Sequence, residues 1–381
     1  MKVLLKAPFS VFTGYGNDGI GLSQALERYG ADVYIEPETI QAPIPQDVAD
    51  LLTKTPNAPF DLIIHHINPA NLDASPQLQS SGTALIGWTM WEWTNFDYHE
   101  DKDKFRKNWE NYDAILVYDD VSADALREYY DGPIVKLQGG YDPSRWTRVD
   151  RDWFAEDFYF CMLGVLSPRK DPFVSIAAFT QLQNEHEDFK KHARLSLKTV
   201  DDTGLSPKIS DLYENIRIFQ DSWPQKIVQS FYEHQHVLLA PSRGEGKNVP
   251  ALEFQTTGGV LLATNWAGHK EWLNPDYSYA LDYTLENSDI YEPGTYQAKV
   301  SVEEMKEKML HVFRNRAEVK EKAKLAAQII PQMCSWDSVV ERLFNRIRDE
   351  VPNGEEIYAQ ASICRREKSH GNSGNPLPDW S

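Results

Sequence analysis

Two glutamates lie eight residues apart in the segment 241–253, which reads PSRGEGKNVPALE. Glu245 falls in a Gly-rich loop after the apolar run VLLA, and Glu253 falls in a helix predicted to begin near Val249. Two carboxylates in one crevice suit the paired hydroxyls of a sugar and a ribose, because each accepts hydrogen bonds from them. The loop and the helix start add backbone N–H groups that suit a phosphate, at Gly246, Lys247, Asn248 and Val249. Solvated glutamates without a ligand would show the same spacing.

The elements around this segment follow the pattern of parallel α/β sheets. Near-continuous apolar runs alternate with amphipathic stretches, as expected when helices cover both faces of a sheet. In the first half we predict strands at 3–7, 31–35, 61–67, 84–89, 114–118 and 134–137. The pattern then starts again, with strands at 158–163, 194–197, 216–219, 237–240 and 260–263. Two Rossmann-like units follow, and Glu245 lies at the carboxyl end of a strand, where open α/β sheets bind ligands.

Charge and composition limit the partners and the compartment. The net charge of −18 repels phosphate backbones and anionic membrane surfaces, so nucleic acid is disfavoured as a partner. No apolar run approaches the ~20 residues that span a bilayer. The three cysteines have no metal-site or disulfide spacing. The N-terminal MKVLLKAPF is too short for a signal peptide and reads as a first strand. We therefore expect a soluble protein of the cytoplasm.

The segment 241–273, PSRGEGKNVPALEFQTTGGVLLATNWAGHKEWL, resembles the donor-binding segment of retaining glycosyltransferases of the GT-B fold, family four. Their pattern runs P-S-x-x-E-G-x-x-x-P-x-L-E-x-x-x-x-G, followed by a strand and G-x-x-E. The matching residues are Pro241, Ser242, Glu245, Gly246, Pro250, Leu252, Glu253, Gly258, Gly268 and Glu271. The resemblance implies that Glu245 approaches the donor sugar and that Glu253 binds the nucleotide ribose.

An earlier segment, CMLGVLSPRKDPF at 161–173, is similar to the family's G-x-x-x-x-x-K-G segment, whose basic side chains neutralise the donor diphosphate. Arg169 and Lys170 match it, and cations there would stabilise the charge that develops on the leaving phosphate. The chain departs from the family at Val165, where Arg is frequent, and at Asp171, where Gly is usual. These departures imply that one of the family's phosphate contacts is missing here. A basic loop before a helix is the alternative interpretation.

The resemblance spans most of residues 1–350 and implies an architecture as well as an activity. The expected fold is α/β, of GT-B type, with two facing Rossmann-like domains and a C-terminal helix that crosses back to the N-terminal domain. The predicted parts are an acceptor domain at 1–150, a donor domain at 151–334, the cross-over helix at 335–351 and a disordered tail at 352–381. The implied reaction moves a sugar from a UDP- or GDP-linked donor to an acceptor hydroxyl with retention. It needs no cofactor and no metal, and the acceptor is open: a small molecule, glycan, protein or modified nucleobase.

The N-terminal sequence offers a rival reading. The run GYGNDG at 14–19 is a G-x-G-x-x-G before a predicted helix, which is the pattern of a dinucleotide fingerprint and of an NAD-dependent oxidoreductase. The residues PFSVFT, however, separate the first predicted strand from Gly14, a longer loop than the fingerprint uses. The glycosyltransferase resemblance instead implies that Gly14 and Gly16 let acceptor and diphosphate approach the backbone. A non-catalytic carbohydrate- or nucleotide-sugar-binding protein is the third alternative.

Two further residues follow predicted strands of the first half. His65 and His66 end one strand, and because adjacent strand residues point to opposite faces only one of them need be in the core. We expect His66 to contact a substrate hydroxyl. After the next strand the family commonly places a His at the donor sugar, whereas this chain has Trp91 and Glu92. Either Glu92 supplies that contact or the donor is atypical.

Overall fold

The computed structural model describes residues 1–96, 102–200, 215–288 and 294–371. The chain forms two compact units, each with its own six-stranded sheet. The first unit comprises Met1–Trp91, His99–Asp142 and Cys334–Ser381, and the second comprises Glu92–Tyr98 and Pro143–Met333. The chain therefore returns to the first unit at Cys334.

The first unit is built on a parallel sheet in the order β2-β1-β3-β4-β5-β6. Its strands are β1 (Lys2–Ser10), β2 (Asp32–Gln41), β3 (Leu62–His66), β4 (Leu85–Thr89), β5 (Ala114–Val117) and β6 (Ile134–Lys136). The helices between them are α1 (Gly14–Tyr29), α2 (Gln46–Leu52), α3 (Pro76–Gln79), α4 (Lys102–Trp109) and α5 (Asp120–Arg127). Strands β3, β4 and β5 are buried at every residue, which explains why they are apolar apart from the two histidines that end β3 and the threonine that ends β4.

Helix α1 lies close to strand β1 because it carries glycines on its buried side. Thr13 caps the helix by accepting a hydrogen bond from the Gly16 N–H, and Gly30 ends it in the left-handed conformation at φ 109°. A Cβ at Gly16 would lie 2.5 Å from the Ser10 nitrogen, and one at Gly19 would lie 2.2 Å from the Pro8 carbonyl oxygen. Both glycines are therefore required by helix-to-strand packing.

The second unit has a parallel sheet in the order β12-β11-β10-β7-β8-β9, with a separate hairpin of β13 and β14. Its strands are β7 (Phe158–Leu163), β8 (Ala193–Thr199), β9 (Ile216–Gln220), β10 (Val237–Ala240), β11 (Val260–Thr264), β12 (Tyr279–Leu281), β13 (Thr284–Asn287) and β14 (Tyr296–Lys299). Its helices are α6 (Pro172–Glu185), α7 (Glu187–His192), α8 (Gln225–Glu233), α9 (Val249–Thr256), α10 (Val302–Arg314) and α11 (Arg316–Cys334). The sheet core is rich in aromatic rings, among them Phe160, Phe179 and Phe189.

Two C-terminal helices complete the first unit. Helix α12 (Trp336–Glu350) begins at the cap residue Ser335 and buries an apolar stripe in the core of that unit. Helix α13 (Gly354–Gly371) packs beside it and buries Ile357 and Ala361. The prediction of a disordered tail from 352 is therefore wrong as far as residue 371, and residues 372–381 lie outside the described ranges. The buried stripe of α13 contains small residues, which give little hydrophobic periodicity.

All eleven strands predicted from the sequence are present, and the prediction of two parallel α/β units is confirmed. The sequence did not indicate β12 or the hairpin of β13 and β14, which are short and partly exposed. None of the helices within the described ranges is long and apolar enough to cross a membrane.

Candidate functional site

The candidate site of the second unit lies at the point where the strand order of its sheet reverses. Strand β7 pairs with β8 on one side and with β10 on the other, so the connections leave β7 and β10 in opposite directions. A crevice at the carboxyl ends of such strands is the usual ligand position in open α/β sheets. The loop after β7 carries Arg169 and Lys170, and the loop after β10 carries Glu245. The topology thus brings together residues about 75 positions apart in the chain.

Four charged side chains meet there in one ionic network. Glu245 is only 4% exposed and forms an ion pair with Lys170 Nζ through its Oε1 atom. Its Oε2 atom lies 3.2 Å from Nη1 of Arg169, and the same Nη1 lies 3.1 Å from Oε1 of Glu92. Arg169 also donates to the Gly244 carbonyl. Two cations and two carboxylates thus balance each other, and the predicted residues Glu92, Arg169, Lys170 and Glu245 form one cluster.

The protonation states in this network follow from burial and from neighbouring charges. Burial alone would raise the pKa of Glu245, but the charges of Lys170 and Arg169 outweigh it and hold that pKa well below its usual range. Burial lowers the pKa of Lys170, and Glu245 opposes that shift. Burial raises the pKa of Glu92, with Arg169 acting against it. Glu245 is therefore the firmly ionised carboxylate of the cluster.

The loops of this site contain unusual backbone conformations. Among the described residues, four that are not glycine have positive φ: Asp171 at 46°, Asn248 at 61°, Ala267 at 50° and Asn353 at 58°. The first three lie in the loops after β7, β10 and β11. Left-handed backbone costs energy for a residue with a Cβ atom, and such residues cluster where function needs a fixed geometry.

The loops after β10 and β11 interlock through their backbones. The Gly268 N–H donates to the Glu245 carbonyl at 2.8 Å. A Cβ at Gly268 would lie 1.8 Å from the Gly246 carbonyl oxygen, so only glycine fits at this position. The G-x-x-E match at Gly268 therefore has a packing reason, and it fixes the backbone on both sides of Gly246.

A histidine that sequence reasoning missed anchors the helix start. Asn248 is the N-terminal cap residue of α9, and its Nδ2 donates to His269 Nε2 at 2.8 Å. His269 is buried, and its Nδ1 donates to the Thr264 carbonyl at 3.3 Å. Burial lowers the pKa of His269 to about 4, so the ring is neutral and Nε2 is an acceptor at physiological pH. The WAGHKEW segment, which places His269 between two matched residues, was the available signal.

Sequence reasoning also missed an arginine, Arg243, in the loop after β10. Arg243 Nε lies 3.1 Å from Oδ2 of Asp171, and both side chains are nearly buried. The Arg243 N–H donates to the Arg169 carbonyl at 2.8 Å, which ties the loop after β10 to the loop after β7. Asp171, where the family has Gly, is thus held in its left-handed conformation by a charged partner.

Glu253 has a different set of neighbours from Glu245. It lies one turn into α9, is half-buried, and accepts a hydrogen bond from the Tyr232 hydroxyl at 3.4 Å. Burial raises the pKa of Glu253 to about 7, against the opposing charge of Arg145 and the hydrogen bond from Tyr232. The predicted phosphate-binding residues Gly246, Lys247, Asn248 and Val249 lead from Glu245 into this helix.

The glycines of the N-terminal G-x-G-x-x-G all fall inside α1 of the first unit. Strand β1 continues to Ser10, so only three residues precede the helix, and the predicted long loop is wrong. Gly16 packs on Ser10, whereas a Cβ at Gly14 would make only an ordinary contact with Met90, at 3.8 Å. A dinucleotide fingerprint also uses an acidic residue after the second strand; Glu36, 17 residues after Gly19, lies within β2 and pairs with Lys6 at 3.0 Å. These positions do not favour a dinucleotide site.

Both histidines at the end of β3 are buried, although the alternation of a strand requires only one of them to be in the core. The reason is that both faces of this parallel sheet are covered. The Nδ1 atom of His66 lies 2.9 Å from the Trp88 carbonyl oxygen, and its Nε2 lies 3.5 Å from Asp18 Oδ2, so its surroundings in this unit are those of a core residue. On the other face His65 is bonded to Tyr112 and Glu38 and lines a cavity of about 880 Å³.

The whole chain is similar in structure to known glycosyl-transferring enzymes, although no protein-family model and no curated protein sequence matches it. Sucrose-phosphate synthase from Thermosynechococcus elongatus matches with a TM-score of 0.63 at 12% identity, covering 95% of this chain and 99% of that one. Trehalose 6-phosphate synthase from Burkholderia multivorans matches with a TM-score of 0.62 at 11% identity, covering 99% of both chains. Anabaena HepE in complex with UDP-glucose matches with a TM-score of 0.58 at 14% identity, covering 91% and 99%. At these identities the likeness shows the fold, and the chain has the GT-B fold that its sequence predicts.

Proposed function

We propose that this chain is a glycosyltransferase that moves a sugar from a nucleotide-diphosphate sugar to an acceptor hydroxyl with retention of configuration. The observation that carries the proposal is the convergence of Arg169, Lys170 and Glu245 at the switch point of the second sheet, beside the start of α9. Cations and backbone N–H groups at that edge suit a diphosphate, and carboxylates suit sugar hydroxyls.

The structural neighbours support this proposal through what they bind and make. HepE was solved with UDP, with UDP and glucose, and with UDP-glucose. Other neighbours are named as a sucrose-phosphate synthase and as a UDP-forming trehalose-phosphate synthase. A UDP- or GDP-linked sugar is therefore the proposed donor here, and we propose no further cofactor.

The reaction breaks the bond between the sugar C1 and the diphosphate oxygen and forms one between C1 and the acceptor oxygen. The bonding electrons leave with the diphosphate, whose growing negative charge Arg169 and Lys170 stabilise. The acceptor proton passes to the departing phosphate oxygen on the same face of the sugar, which retains the configuration. The transition state is oxocarbenium-like, as in other glycosyl transfer. We propose that these cations do this work without a metal ion, so activity should persist in EDTA.

The carboxylates divide the remaining work. Glu245 is ionised and bonded to both cations, so it orients them and can accept hydrogen bonds from the donor sugar. Glu92, on the other side of Arg169, is the second candidate for a sugar contact. Glu253, half-buried beside the Tyr232 hydroxyl, is the proposed partner of the ribose hydroxyls. Substrate contacts by Gly14, Gly16 and His66 stay predictions.

The proposal is tested by comparing nucleotides and then measuring transfer. UDP or GDP at about 100 times its dissociation constant should stabilise the protein by about 2.7 kcal/mol, whereas NAD should not. Release of UDP or GDP from the matching nucleotide sugar should then depend on Arg169. Stabilisation by NAD alone would favour the oxidoreductase, and binding without any release or transfer would favour a carbohydrate-binding protein.

A further inference from the structure

Two of the three site loops that contain a left-handed residue are held by a side-chain partner from a neighbouring loop. Asp171, at φ 46°, pairs with Arg243, and Asn248, at φ 61°, is bonded to His269. Neither Arg243 nor His269 belongs to the ionic network of Arg169, Lys170, Glu245 and Glu92, so their contacts need another explanation. Left-handed backbone persists only where surrounding structure holds it in place.

We propose that Asn248–His269 and Asp171–Arg243 are two positioning pairs that hold the loops in the geometry that binds the donor diphosphate. The inference rests on the proposed function, because it names what the loops are held for. Neither Arg243 nor His269 is assigned a contact to the substrate. Each acts through the residue that it holds.

The Asn248–His269 pair sets the direction in which α9 begins. Asn248 is the residue at which the chain turns from the Gly-rich loop into the helix, with φ 61° and ψ 66°. Its side chain makes no capping bond to the helix but instead donates to the ring of His269. Both side chains are buried, and His269 is itself fixed by the Thr264 carbonyl at the end of β11. The ring therefore ties the helix start to the sheet.

The Asp171–Arg243 pair does the same for the loop that carries the cations. Asp171 directly follows Lys170 and precedes α6, and its positive φ reverses the chain between them. Arg243 holds the Asp171 carboxylate through its side chain and the Arg169 carbonyl through its backbone N–H. Glycine, which the family's pattern has at this position, adopts positive φ freely and would need no such partner. The departure at Asp171 is thus compensated by Arg243.

The first experiment removes the His269 anchor and then removes the need for it. His269→Leu leaves the Asn248 amide buried without its acceptor, and we expect the dissociation constant for UDP or GDP, measured by calorimetry, to rise about tenfold. The double variant Asn248→Gly/His269→Leu removes both partners, and glycine adopts φ 61° freely. Its dissociation constant should return to within about threefold of the wild-type value.

The second experiment uses the charge-matched pair in the same way. Arg243→Leu leaves the Asp171 carboxylate beside a diphosphate site and should weaken binding about tenfold. The double variant Asp171→Gly/Arg243→Leu has the wild-type net charge and should restore nucleotide binding. Asn353→Gly is the matched control, because Asn353 has φ 58° but lies at the start of α13 in the first unit. It should leave nucleotide binding unchanged.

Hydrogen exchange in the unliganded protein separates failure of this inference from failure of the proposed function. His269→Leu should speed exchange in the segment 244–251, and Arg243→Leu should do so in 164–172, each by about tenfold, with the double variants slower than the single ones. Wild-type exchange rates in the single variants, or equal nucleotide binding by all variants, would overturn the inference. If the single variants exchange faster but the wild-type protein binds neither UDP nor GDP, the two pairs do hold the loops and the proposed function is wrong.

Discussion

At the residue scale, the site is a buried network in which every charge has an opposite neighbour. Glu245 is the most buried member, and Lys170 is its nearest partner. Breaking a buried pair from one side is costly because the remaining charge has neither water nor partner. The members of the network should therefore differ in how far they affect stability and catalysis.

Arg169→Ala and Lys170→Ala should both reduce transfer, by about 100- to 1,000-fold in kcat. They should differ in stability, because Glu245 keeps Lys170 in the first variant but loses its nearest partner in the second. Chemical denaturation should show Lys170→Ala to be less stable by about 3–5 kcal/mol. Lys170→Ala/Glu245→Ala should recover much of that loss without activity. Equal stability of the two single variants would contradict this account.

Under the proposed function, Glu253 gives nucleotide binding a dependence on pH. Its pKa is raised to about 7, and only the carboxylate accepts hydrogen bonds from both ribose hydroxyls. Nucleotide affinity should therefore fall as the pH drops below 7, approaching about tenfold per pH unit if only the ionised form binds. Glu253→Gln should bind the nucleotide weakly, with an affinity that does not change between about pH 5.5 and 8 when measured by calorimetry. This range extends about one pH unit or more to either side of the pKa. An unchanged slope in the variant would assign the titration to another group.

The same pKa makes a prediction for stability. Because folding raises the pKa of Glu253 from its ordinary value of 4.5, the folded protein binds the proton more tightly than the unfolded chain. Its favourable contribution is complete below 4.5 and is lost as the pH rises through 7. Glu253→Gln should therefore gain stability relative to wild type between pH 4.5 and 8, measured by urea denaturation at each pH. A loss of stability in the variant over this pH range would show that Glu253 is not desolvated.

At the scale of elements, glycines decide how closely loops, helices and strands approach. The loop after β10 contacts Gly268 and strand β1 contacts Gly16 at distances that leave no room for a Cβ atom, whereas Gly14 has no such close neighbour. Gly268→Ala should lose nucleotide binding and stability, and Gly16→Ala should lose stability, each by about 1–3 kcal/mol from forced backbone shifts. Gly14→Ala should leave the melting temperature nearly unchanged and is the matched control. A stable Gly268→Ala variant with full nucleotide affinity would contradict the interlocked loops.

At the scale of the whole molecule, the chain closes its first unit with residues from its far end. Helix α13 buries Ile357 and Ala361 there, and Arg365 pairs with Glu341 of α12 at 2.8 Å. A chain ending at Val351 should therefore melt several degrees lower, because the lost apolar burial is worth about 2–3 kcal/mol. A chain ending at 371 is the control and should melt like the full protein. An unchanged melting temperature after the longer deletion would show that α13 contributes nothing to the fold.

Features that follow from burial, such as the strands, can be predicted from the sequence. Contacts between segments that are distant in the chain cannot. Strands β7 and β10 were predicted to the residue, because strands covered on both faces are continuous apolar runs. Arg169 and Glu245 were assigned to the donor from two separate motifs, and the switch point explains why they meet. The anchoring of Asn248 by His269 was not predicted, because a left-handed φ and its partner arise only when loops from two strands come together.

The charge balance of the site has a consequence for which anions it admits. Lys170 and Arg169 already bind Glu245 and Glu92, so an incoming diphosphate exchanges partners with carboxylates instead of filling a positive hole. The carboxylates then lose hydrogen bonds from the cations. Only a ligand with hydroxyls placed to donate to those carboxylates replaces these bonds and binds tightly. Free phosphate and sulfate, which carry the charge but not the hydroxyls, should compete poorly with the donor. Under the proposed function, the network would therefore favour a sugar attached to its phosphates over simpler anions.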